Sequence, residues 1–326
     1  MVGSRPGADS IPLARIYGLV LVTILIWGGT PVAGKLALRE IPPMTVGLLR
    51  YGLATLVLIA QFRRHLPAWG SLRRRDLWII AWLGILGTFL NHVLFFLGLV
   101  FAPASHGAIL APTTSPIWTM LLAARLGQER ITREQVVGTG LCILGVSLVV
   151  RPGSLTEAGT TRVLFGDLFF LLGGLAWGVY QYLCMVAMRR MSGLASLAYA
   201  MMVGCVFLVP LAILERPGHA LASASVSAWG SVLYISLAGT ALAFFWWNMA
   251  IQRVGAGRTA VFTNLVPVVG VFLSWQVLGE RLAAVQLLGG VLTVGGVWVC
   301  QGPAAMQAAW RQARVRLRGT SGSELE

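Results

Sequence analysis

The chain has 326 residues, of which 57% are hydrophobic and 11% are charged, and its formal net charge is +14. Soluble domains carry roughly 25% charged residues, so this composition excludes an ordinary soluble protein and favours one that is embedded in a bilayer. The positive charge does not indicate nucleic-acid binding, because the arginines are scattered through short gaps between apolar runs and form no basic stripe. We therefore expect lipid, and not nucleic acid, around the protein.

Apolar runs of about 20 residues, the length with which a helix spans a bilayer, fill nearly the whole chain. We predict ten such helices, at residues 16–38, 44–62, 77–99, 103–125, 134–150, 165–188, 193–213, 229–251, 257–277 and 284–301. The first run is too long for the apolar core of a signal peptide, so we expect it to be retained as a helix.

The lysines and arginines in the gaps predict the orientation, because cytoplasmic loops of membrane proteins are enriched in both. With the N-terminus in the cytoplasm, eighteen of the 25 Lys and Arg residues lie inside, and the opposite orientation would place only seven there. We predict that both termini are cytoplasmic, with residues 1–15 as an arm and residues 302–326 as a basic tail. The end of that tail, 319–326, is typical of an added linker.

A segment of the first half, residues 101–130, recurs in altered form at residues 253–281. Pro116 corresponds to Pro267, 151 residues later, and each copy ends in Leu-Gly-(Gln)-Glu-Arg. Because five helices per copy is an odd number, the second copy must enter the membrane from the opposite face. The sequence thus predicts two inverted five-helix repeats, 16–150 and 165–301, which is an arrangement typical of secondary transporters.

The first helix of each half carries a Trp-Gly pair, Trp27-Gly28 and Trp177-Gly178. With the two halves of five helices and the proline-broken fourth helix before Gly-(Gln)-Glu-Arg, these residues resemble the EamA-type exporters of the drug/metabolite transporter superfamily over residues 16–301. Within that superfamily the chain is most similar to the YddG-type exporters of aromatic amino acids. The resemblance implies an all-α inner-membrane protein whose helices surround a central cavity, with helices five and ten set to one side.

Polar and aromatic side chains within the runs are the candidate substrate-binding groups, because polar groups are costly in lipid and aromatic walls suit a flat apolar substrate. The predicted binding residues are Trp27, Asn91, His92, Thr113, Ser115, Trp177, Tyr180, Gln181, Trp247 and Asn264. The predicted hinge or gate residues are Pro31, Pro112, Pro116 and Pro267.

Several of these assignments have alternatives that the sequence leaves open. His92 can instead form a hydrogen bond between two helices, and Thr113 and Ser115 can bond to their own helix. If they bind substrate, Thr113, Ser115 and Pro116 should face Asn264 and Pro267 across the cavity. We expect His106 near the membrane interface, and Lys35 and Arg50 near the outer end of the first hairpin, where they either extend to the interface or meet an anionic group.

The function predicted from these features is export of amino acids, aromatic or otherwise apolar, and of related metabolites by alternating access. Proton-driven pumps usually carry a carboxylate or histidine relay within the membrane. Here no Asp or Glu lies in the middle of a run, and Asp167 is near a helix start, so we expect facilitated movement down the substrate gradient. The alternative is a proton-coupled exporter of broad drug or metabolite specificity.

Two remoter alternatives are a non-transporting receptor and an intramembrane enzyme. The enzyme is disfavoured because the chain has no HExxH or GxSxG motif and no paired carboxylates. We expect no catalytic residues, cofactor or metal, since none of the four cysteines has metal-binding spacing. The expected partners are a small-molecule substrate and the bilayer, and we expect a monomer.

Overall fold

The computed structural model describes residues 13–63, 66–67, 71–125, 132–150, 157–187, 190–254 and 262–299. The regular structure of these residues is helical throughout, which confirms the predicted all-α class. The unbroken helices are α1 (Leu13–Ala37), α2 (Pro43–Phe62), α4 (Ala104–Arg125), α5 (Arg133–Val150), α6 (Glu157–Ala187), α7 (Gly193–Leu214), α9 (Val266–Leu278) and α10 (Ala284–Val299).

Two further helices, α3 and α8, each contain a π-helical segment. Helix α3 consists of Arg74–Leu83, the π segment Gly84–Leu90 and Asn91–Phe101. Helix α8 consists of Val226–Leu233, the π segment Tyr234–Leu242 and Ala243–Val254.

Within the described residues, six helical stretches are long and apolar enough to cross a bilayer. They are Arg15–Ala37, Pro43–Phe62, Arg74–Phe101, Thr161–Cys184, Gly193–Leu214 and Val226–Trp247. Helices α9 and α10 are shorter and also apolar. Large apolar side chains such as Val206, Ile213 and Val291 are more than 60% exposed on the outside of the bundle, where lipid rather than water would cover them.

The glycines of the two Trp-Gly pairs bring α1 and α6 close to neighbouring helices. A Cβ atom on Gly28 in α1 would lie 2.6 Å from the Cβ of Val269 in α9, and one on Gly178 in α6 would lie 2.7 Å from the Ser115 carbonyl oxygen in α4. The two contacts occupy corresponding places in the sequence repeat. In each, the first helix of one half packs against the fourth helix of the other half.

Helices α5 and α10 pack against each other through glycine at both ends of their contact. A Cβ atom on Gly145 would lie 2.5 Å from the Gly289 carbonyl oxygen, and one on Gly296 would lie 2.6 Å from the Gly138 carbonyl oxygen. Such contacts let backbones approach closely, which is how membrane helices associate when burial from water provides no driving force.

The two π segments were not predicted, although the sequence carries a common feature of both. Each contains the dipeptide Gly-Thr, as Gly87-Thr88 and Gly239-Thr240, 152 residues apart. A π segment interrupts the regular hydrogen bonding of an α-helix and is frequent at functional sites. In α8, the freed Gly239 carbonyl accepts a hydrogen bond from the Trp27 Nε1 atom of α1, at 3.1 Å.

The prolines have different effects in the two halves. Helix α4 continues through Pro112 and Pro116, and the hydroxyl of Ser115 donates to the Pro112 carbonyl at 3.2 Å, which replaces the N–H that Pro116 lacks. Pro31 also lies inside a helix, α1. Pro267 instead lies in the first turn of α9, after a 3₁₀ turn at Thr263–Leu265, where a proline removes no helix bond. The predicted run 257–277 thus changes from a 3₁₀ turn to an α-helix next to Pro267, and the role of Pro267 as a hinge or gate stays a prediction.

One end of the bundle is marked by carboxylates that accept bonds at the starts of helices, where the N–H groups carry partial positive charge. Glu280, after α9, accepts from the Ala104 and Ser105 amides at the start of α4, at 2.8 and 2.9 Å. Glu215 accepts from the Met44 and Thr45 amides at the start of α2. Glu40 accepts from the Ser225 amide at the start of α8. We call this the carboxylate-capped end; the charge distribution predicts that it faces away from the cytoplasm.

Candidate functional site

An aromatic row joins α6, α8 and α1 in the interior of the bundle. It consists of Tyr180, Trp177, Phe244, Trp27 and Trp247, whose successive ring centroids are 4.7, 6.4, 5.4 and 4.9 Å apart. Tyr180 is buried, and the other four side chains are partly exposed. The structure thus brings together four residues that the sequence had selected, and adds Phe244, which belongs to an aromatic run of α8 but was not selected.

A cation is bonded to the same π segment of α8 as Trp27. Trp27 donates to the Gly239 carbonyl, and Arg50 Nε donates to the hydroxyl oxygen of the next residue, Thr240, at 2.9 Å. The Thr240 hydroxyl donates in turn to the Ile235 carbonyl at 2.7 Å, so its oxygen is held ready to accept from Arg50. The Arg50 Nη atoms have no hydrogen-bond partner in the described part of the chain.

Arg50 was expected near the outer end of the first hairpin, and its described contact corrects that expectation. It lies about two turns inside α2, which begins at Pro43, and it bonds to the interior of the bundle rather than extending along lipid. The sequence could not show this, because the bonding partner is 190 residues away.

Two predicted polar residues connect neighbouring helices to α6 on either side of Trp177. Asn91 Nδ2 in α3 donates to the Gly173 carbonyl at 3.1 Å, one turn before Trp177. Gln181, one turn after Trp177, accepts from the Thr119 hydroxyl of α4 at 3.4 Å. Both side chains therefore lie close to the aromatic row along α6.

His92 lies on a different face of α3, against α2. Its Nε2 atom donates to the Pro43 carbonyl at 3.1 Å, its ring stacks on Phe96 with centroids 4.1 Å apart, and it packs directly over Gly47. The side chain is 1% exposed. These contacts correspond to the helix-to-helix alternative, and none of the contacts described for His92 joins it to the aromatic row.

Thr113 and Ser115 are 4% and 2% exposed, so their side chains lie within the bundle and not against lipid. Their hydroxyls donate to carbonyls of their own helix, those of Ile109 and Pro112 respectively. The side chains of Asn264 and Pro116 lie outside the described residues. Helix α4 does meet α9, because a Cβ atom on Gly270 would lie 2.5 Å from that of Ala108. That Thr113 and Ser115 face Asn264 stays a prediction.

The surroundings of His106 and Asp167 were not expected from the sequence. Helix α6 begins at Glu157, ten residues before Asp167, so this carboxylate is not at a helix start. His106 and Asp167 are 3% and 0% exposed, and His106 Nδ1 lies 2.8 Å from Asp167 Oδ1. His106 is the third residue of α4 and its side chain is buried among the helices; its position near the membrane interface stays a prediction. The expectation of downhill export rested on Asp167 lying near a helix start, and this premise is corrected, because Asp167 lies about three turns inside α6 and is buried.

A cleft of about 380 Å³ opens at the carboxylate-capped end. Its charged lining residues are Lys35, Arg39, Arg162 and Glu280. Lys35 Nζ donates to the Leu99 and Ala102 carbonyls, at 2.5 and 2.6 Å, and Arg162 donates to the Val100 carbonyl at 3.4 Å. Both cations thus complement the carbonyl-rich end of α3, and none of the sequence-predicted binding residues lines this cleft.

Comparison with known proteins identifies the family. The sequence model of the EamA-like transporter family matches the chain twice, at residues 14–151 and 164–300. This protein is an EamA-like transporter. As an EamA-like transporter it is a multi-pass protein of the inner membrane.

Curated relatives of this EamA-like transporter include named exporters. It is 31% identical to the "Probable terminal-alkyne amino-acid exporter" of Streptantibioticus cattleyicolor, over 87% of this chain and 93% of that protein. It is 29% identical to the "Uncharacterized transporter YyaM" of Bacillus subtilis, over 88% and 94%. It is 26% identical to the "Probable amino-acid metabolite efflux pump" of Salmonella typhimurium, over 86% and 93%.

A solved crystal structure shares the fold. It aligns with a TM-score of 0.61 and 20% identity, over 88% of this chain and 97% of the solved chain. At this identity the likeness shows the arrangement of helices alone.

Proposed function

We propose that this EamA-like transporter exports amino acids with aromatic or other apolar side chains, and related metabolites, by alternating access. The observation that carries the proposal is that Trp27 and Arg50 bond to consecutive residues, Gly239 and Thr240, of one π segment. This arrangement attaches an indole and a guanidinium to adjacent residues of one helix. An amino acid of this class requires both, because its side chain needs apolar walls and its carboxylate needs a charge-assisted donor.

The proposed binding mode follows from these positions. The substrate side chain packs on the aromatic row, and its carboxylate accepts from the free Nη atoms of Arg50. The faces of Trp27 and Trp177 attract the substrate ammonium group through their ring quadrupoles. Asn91 and Gln181 provide polar contacts at the Trp177 end of the row. A single guanidinium suits a carboxylate better than the larger charge of a phosphate group.

The proposed architecture is ten membrane-spanning helices in two inverted repeats, with both termini in the cytoplasm. The paired contacts of Gly28 with Val269 and of Gly178 with Ser115 support it, since equivalent positions of the two halves make equivalent contacts. In an inverted repeat such contacts lie toward opposite membrane faces, so that one can open while the other closes. Pro31 and Pro112 interrupt helix bonding and are the proposed hinges.

The relatives support the substrate class, since two of them carry names that refer to amino acids or their metabolites.

A broad drug or metabolite exporter is the second candidate, because the aromatic row would also accommodate apolar compounds without a carboxylate. Downhill and proton-driven export would both use the same substrate site.

The experiment that tests the function is counterflow in liposomes containing only this protein. Liposomes loaded with unlabelled phenylalanine should accumulate labelled phenylalanine, with tryptophan and leucine competing and lysine and glutamate competing weakly. Liposomes without protein are the control. Absence of counterflow for all three apolar amino acids would overturn the proposal. Uptake of tetraphenylphosphonium, an apolar cation without a carboxylate, in place of the amino acids would favour the second candidate.

A further inference from the structure

The pair of His106 and Asp167 is part of a buried network that joins four helices. His106 Nδ1 lies 2.8 Å from Asp167 Oδ1. The other ring nitrogen, His106 Nε2, lies 3.0 Å from Gln286 Nε2 at the start of α10. The same Gln286 nitrogen donates to the Val149 carbonyl at the end of α5, at 3.1 Å. The network therefore connects α4 and α5, from the first half of the sequence, with α6 and α10, from the second.

The hydrogen bonds define where the protons are. Gln286 Oε1 accepts from the Ala283 amide at 3.0 Å, and Gln286 Nε2 donates to Val149, so the orientation of the amide is determined by two independent partners. The second hydrogen of Nε2 then points at His106 Nε2, which must be an unprotonated acceptor. The proton of His106 is consequently on Nδ1, from where it donates to Asp167 Oδ1.

This arrangement is a neutral histidine that donates to a buried carboxyl group, and the carboxyl group is incompletely bonded. Asp167 Oδ2 is buried and has no hydrogen-bond partner among the described residues. Buried charge without full pairing is costly, and within membrane helices ionisable residues of this kind mark proton or ion pathways. The network thus has room for one further proton.

A second proton would alter the contact between α4 and α10. If the proton bound to His106 Nε2, that nitrogen would become a donor facing another donor, Gln286 Nε2. The hydrogen bond between the two helices would then be lost. On Asp167 Oδ2 the proton would neutralise the carboxylate that holds the His106 proton. Only the first of these protonations breaks the hydrogen bond between α4 and α10, whereas the glycine contacts of α5 with α10 are affected by neither.

The charged groups around the pair lie toward the carboxylate-capped end. Glu280 accepts from the Ser105 amide, next to His106, and Lys35 bonds the Ala102 carbonyl. Arg162 precedes Asp167 by five residues on α6, which places it about 7 Å nearer the helix start. Among the described contacts of the network, α10 contributes the uncharged Gln286 and α5 contributes a backbone carbonyl.

The cleft at this end lies near the pair, because Glu280 lines the cleft and accepts from the amide of Ser105, the residue before His106. We propose that the His106–Asp167 pair is a proton-binding site that couples substrate export to proton entry. One proton from the outer solution binds the pair at His106 Nε2, the hydrogen bond between α4 and α10 is released, and the same proton leaves to the cytoplasm after the opposite face opens. This inference rests on the proposed export function.

The test uses the full-length protein in liposomes with the pH dye pyranine inside and phenylalanine as the probe. Wild type should move protons opposite to phenylalanine, and an imposed pH gradient should concentrate phenylalanine. Asp167→Asn retains an acceptor for His106 Nδ1 and removes the negative charge that stabilises a second proton on the pair; it should reduce proton movement at least about tenfold while still exchanging labelled for unlabelled phenylalanine. His106→Gln serves as the second variant, with the same expected result.

Two control variants test whether removing any carboxylate or histidine has the same effect as changing the His106–Asp167 pair. Glu40→Gln changes an exposed carboxylate at the same end, and His219→Gln changes an exposed histidine. Both should keep proton and phenylalanine movement within about twofold of wild type, because neither contacts the network.

The outcomes separate the two proposals. Phenylalanine exchange by wild type without proton movement would overturn the coupling and leave the export function intact. Coupled proton movement that survives in both variants would also overturn it. Loss of exchange together with proton movement in both folded variants would show that the pair is structural, which contradicts the proposal. Absence of any phenylalanine exchange by wild type would overturn the export function itself.

Discussion

The indole nitrogen of Trp27 lies 3.1 Å from the carbonyl oxygen of Gly239, and this bond ties α1 to the π segment of α8. The next residue, Thr240, holds Arg50. The position of the guanidinium therefore depends on a tryptophan from another helix. Packing of Trp27 against Phe244 and Trp247, with centroids 5.4 and 4.9 Å away, fixes the indole in turn.

The hydrogen bond and the ring of Trp27 make separable contributions to substrate affinity. Trp27→Phe keeps the aromatic contacts and loses the bond, so it should weaken phenylalanine affinity by about fivefold, the effect of roughly 1 kcal/mol. Trp27→Ala also loses the rings' contact and should weaken affinity by about tenfold or more. Counterflow at varied substrate concentration measures both. Trp298→Ala, a change of a 56% exposed side chain of α10, is the control, and equal effects of Trp27→Ala and Trp298→Ala would contradict the site.

The Trp-Gly pairs should be sensitive to a single added methyl group. Gly28→Ala places a Cβ atom 2.6 Å from that of Val269, and overpacking of this kind costs about 1–3 kcal/mol. We expect a lower thermal midpoint of the detergent-purified protein, read from the loss of the monodisperse chromatographic peak after heating. Gly18→Ala, in the same helix with nothing within 4 Å of the added atom, should leave the midpoint unchanged. Equal midpoints of the two variants would disprove the close contact of α1 with α9.

His92 should affect stability and not substrate affinity. His92→Ala removes a buried ring and leaves the packing against Gly47 and Phe96 incomplete, at a cost of about 2–4 kcal/mol. Phenylalanine affinity measured per folded molecule should stay within about twofold of wild type. A stable His92→Ala protein with greatly weakened phenylalanine affinity would contradict this prediction and indicate that His92 contacts the substrate. His219→Ala, at an exposed position, controls for loss of a histidine.

Much of the fold can be predicted from the sequence because lipid imposes a simple rule on it. Every backbone group in a bilayer must be bonded within the segment, so apolar length alone identifies helices. The described bounds of α2, Pro43–Phe62, lie within one residue of the predicted 44–62. The π segments are different, because apolar length does not distinguish a π segment from the α-helix that contains it.

The candidate site was only partly predictable for a related reason. Trp27, Trp177, Tyr180 and Trp247 stand out by residue type and were selected. Arg50 and Asp167 lie near the ends of apolar runs, and position within a run does not show which face of the helix a side chain occupies. Their partners, Thr240 and His106, are 190 and 61 residues away in sequence.

The central claim is that Arg50, held beside the aromatic row, recognises the carboxylate of an apolar amino acid. It is tested most directly by measuring how well phenethylamine, which is phenylalanine without its carboxylate, competes with labelled phenylalanine in counterflow. Wild type should prefer phenylalanine by at least about tenfold, the value of one charge-assisted bond.

In Arg50→Gln that preference should fall to about twofold or less, because the remaining contacts are those of the ring and the ammonium group. Arg50→Lys keeps the charge and loses the two-pronged geometry of the guanidinium. Its preference for phenylalanine over phenethylamine should lie between those of wild type and Arg50→Gln. An Arg50→Gln protein that still prefers phenylalanine as strongly as wild type would contradict the claim.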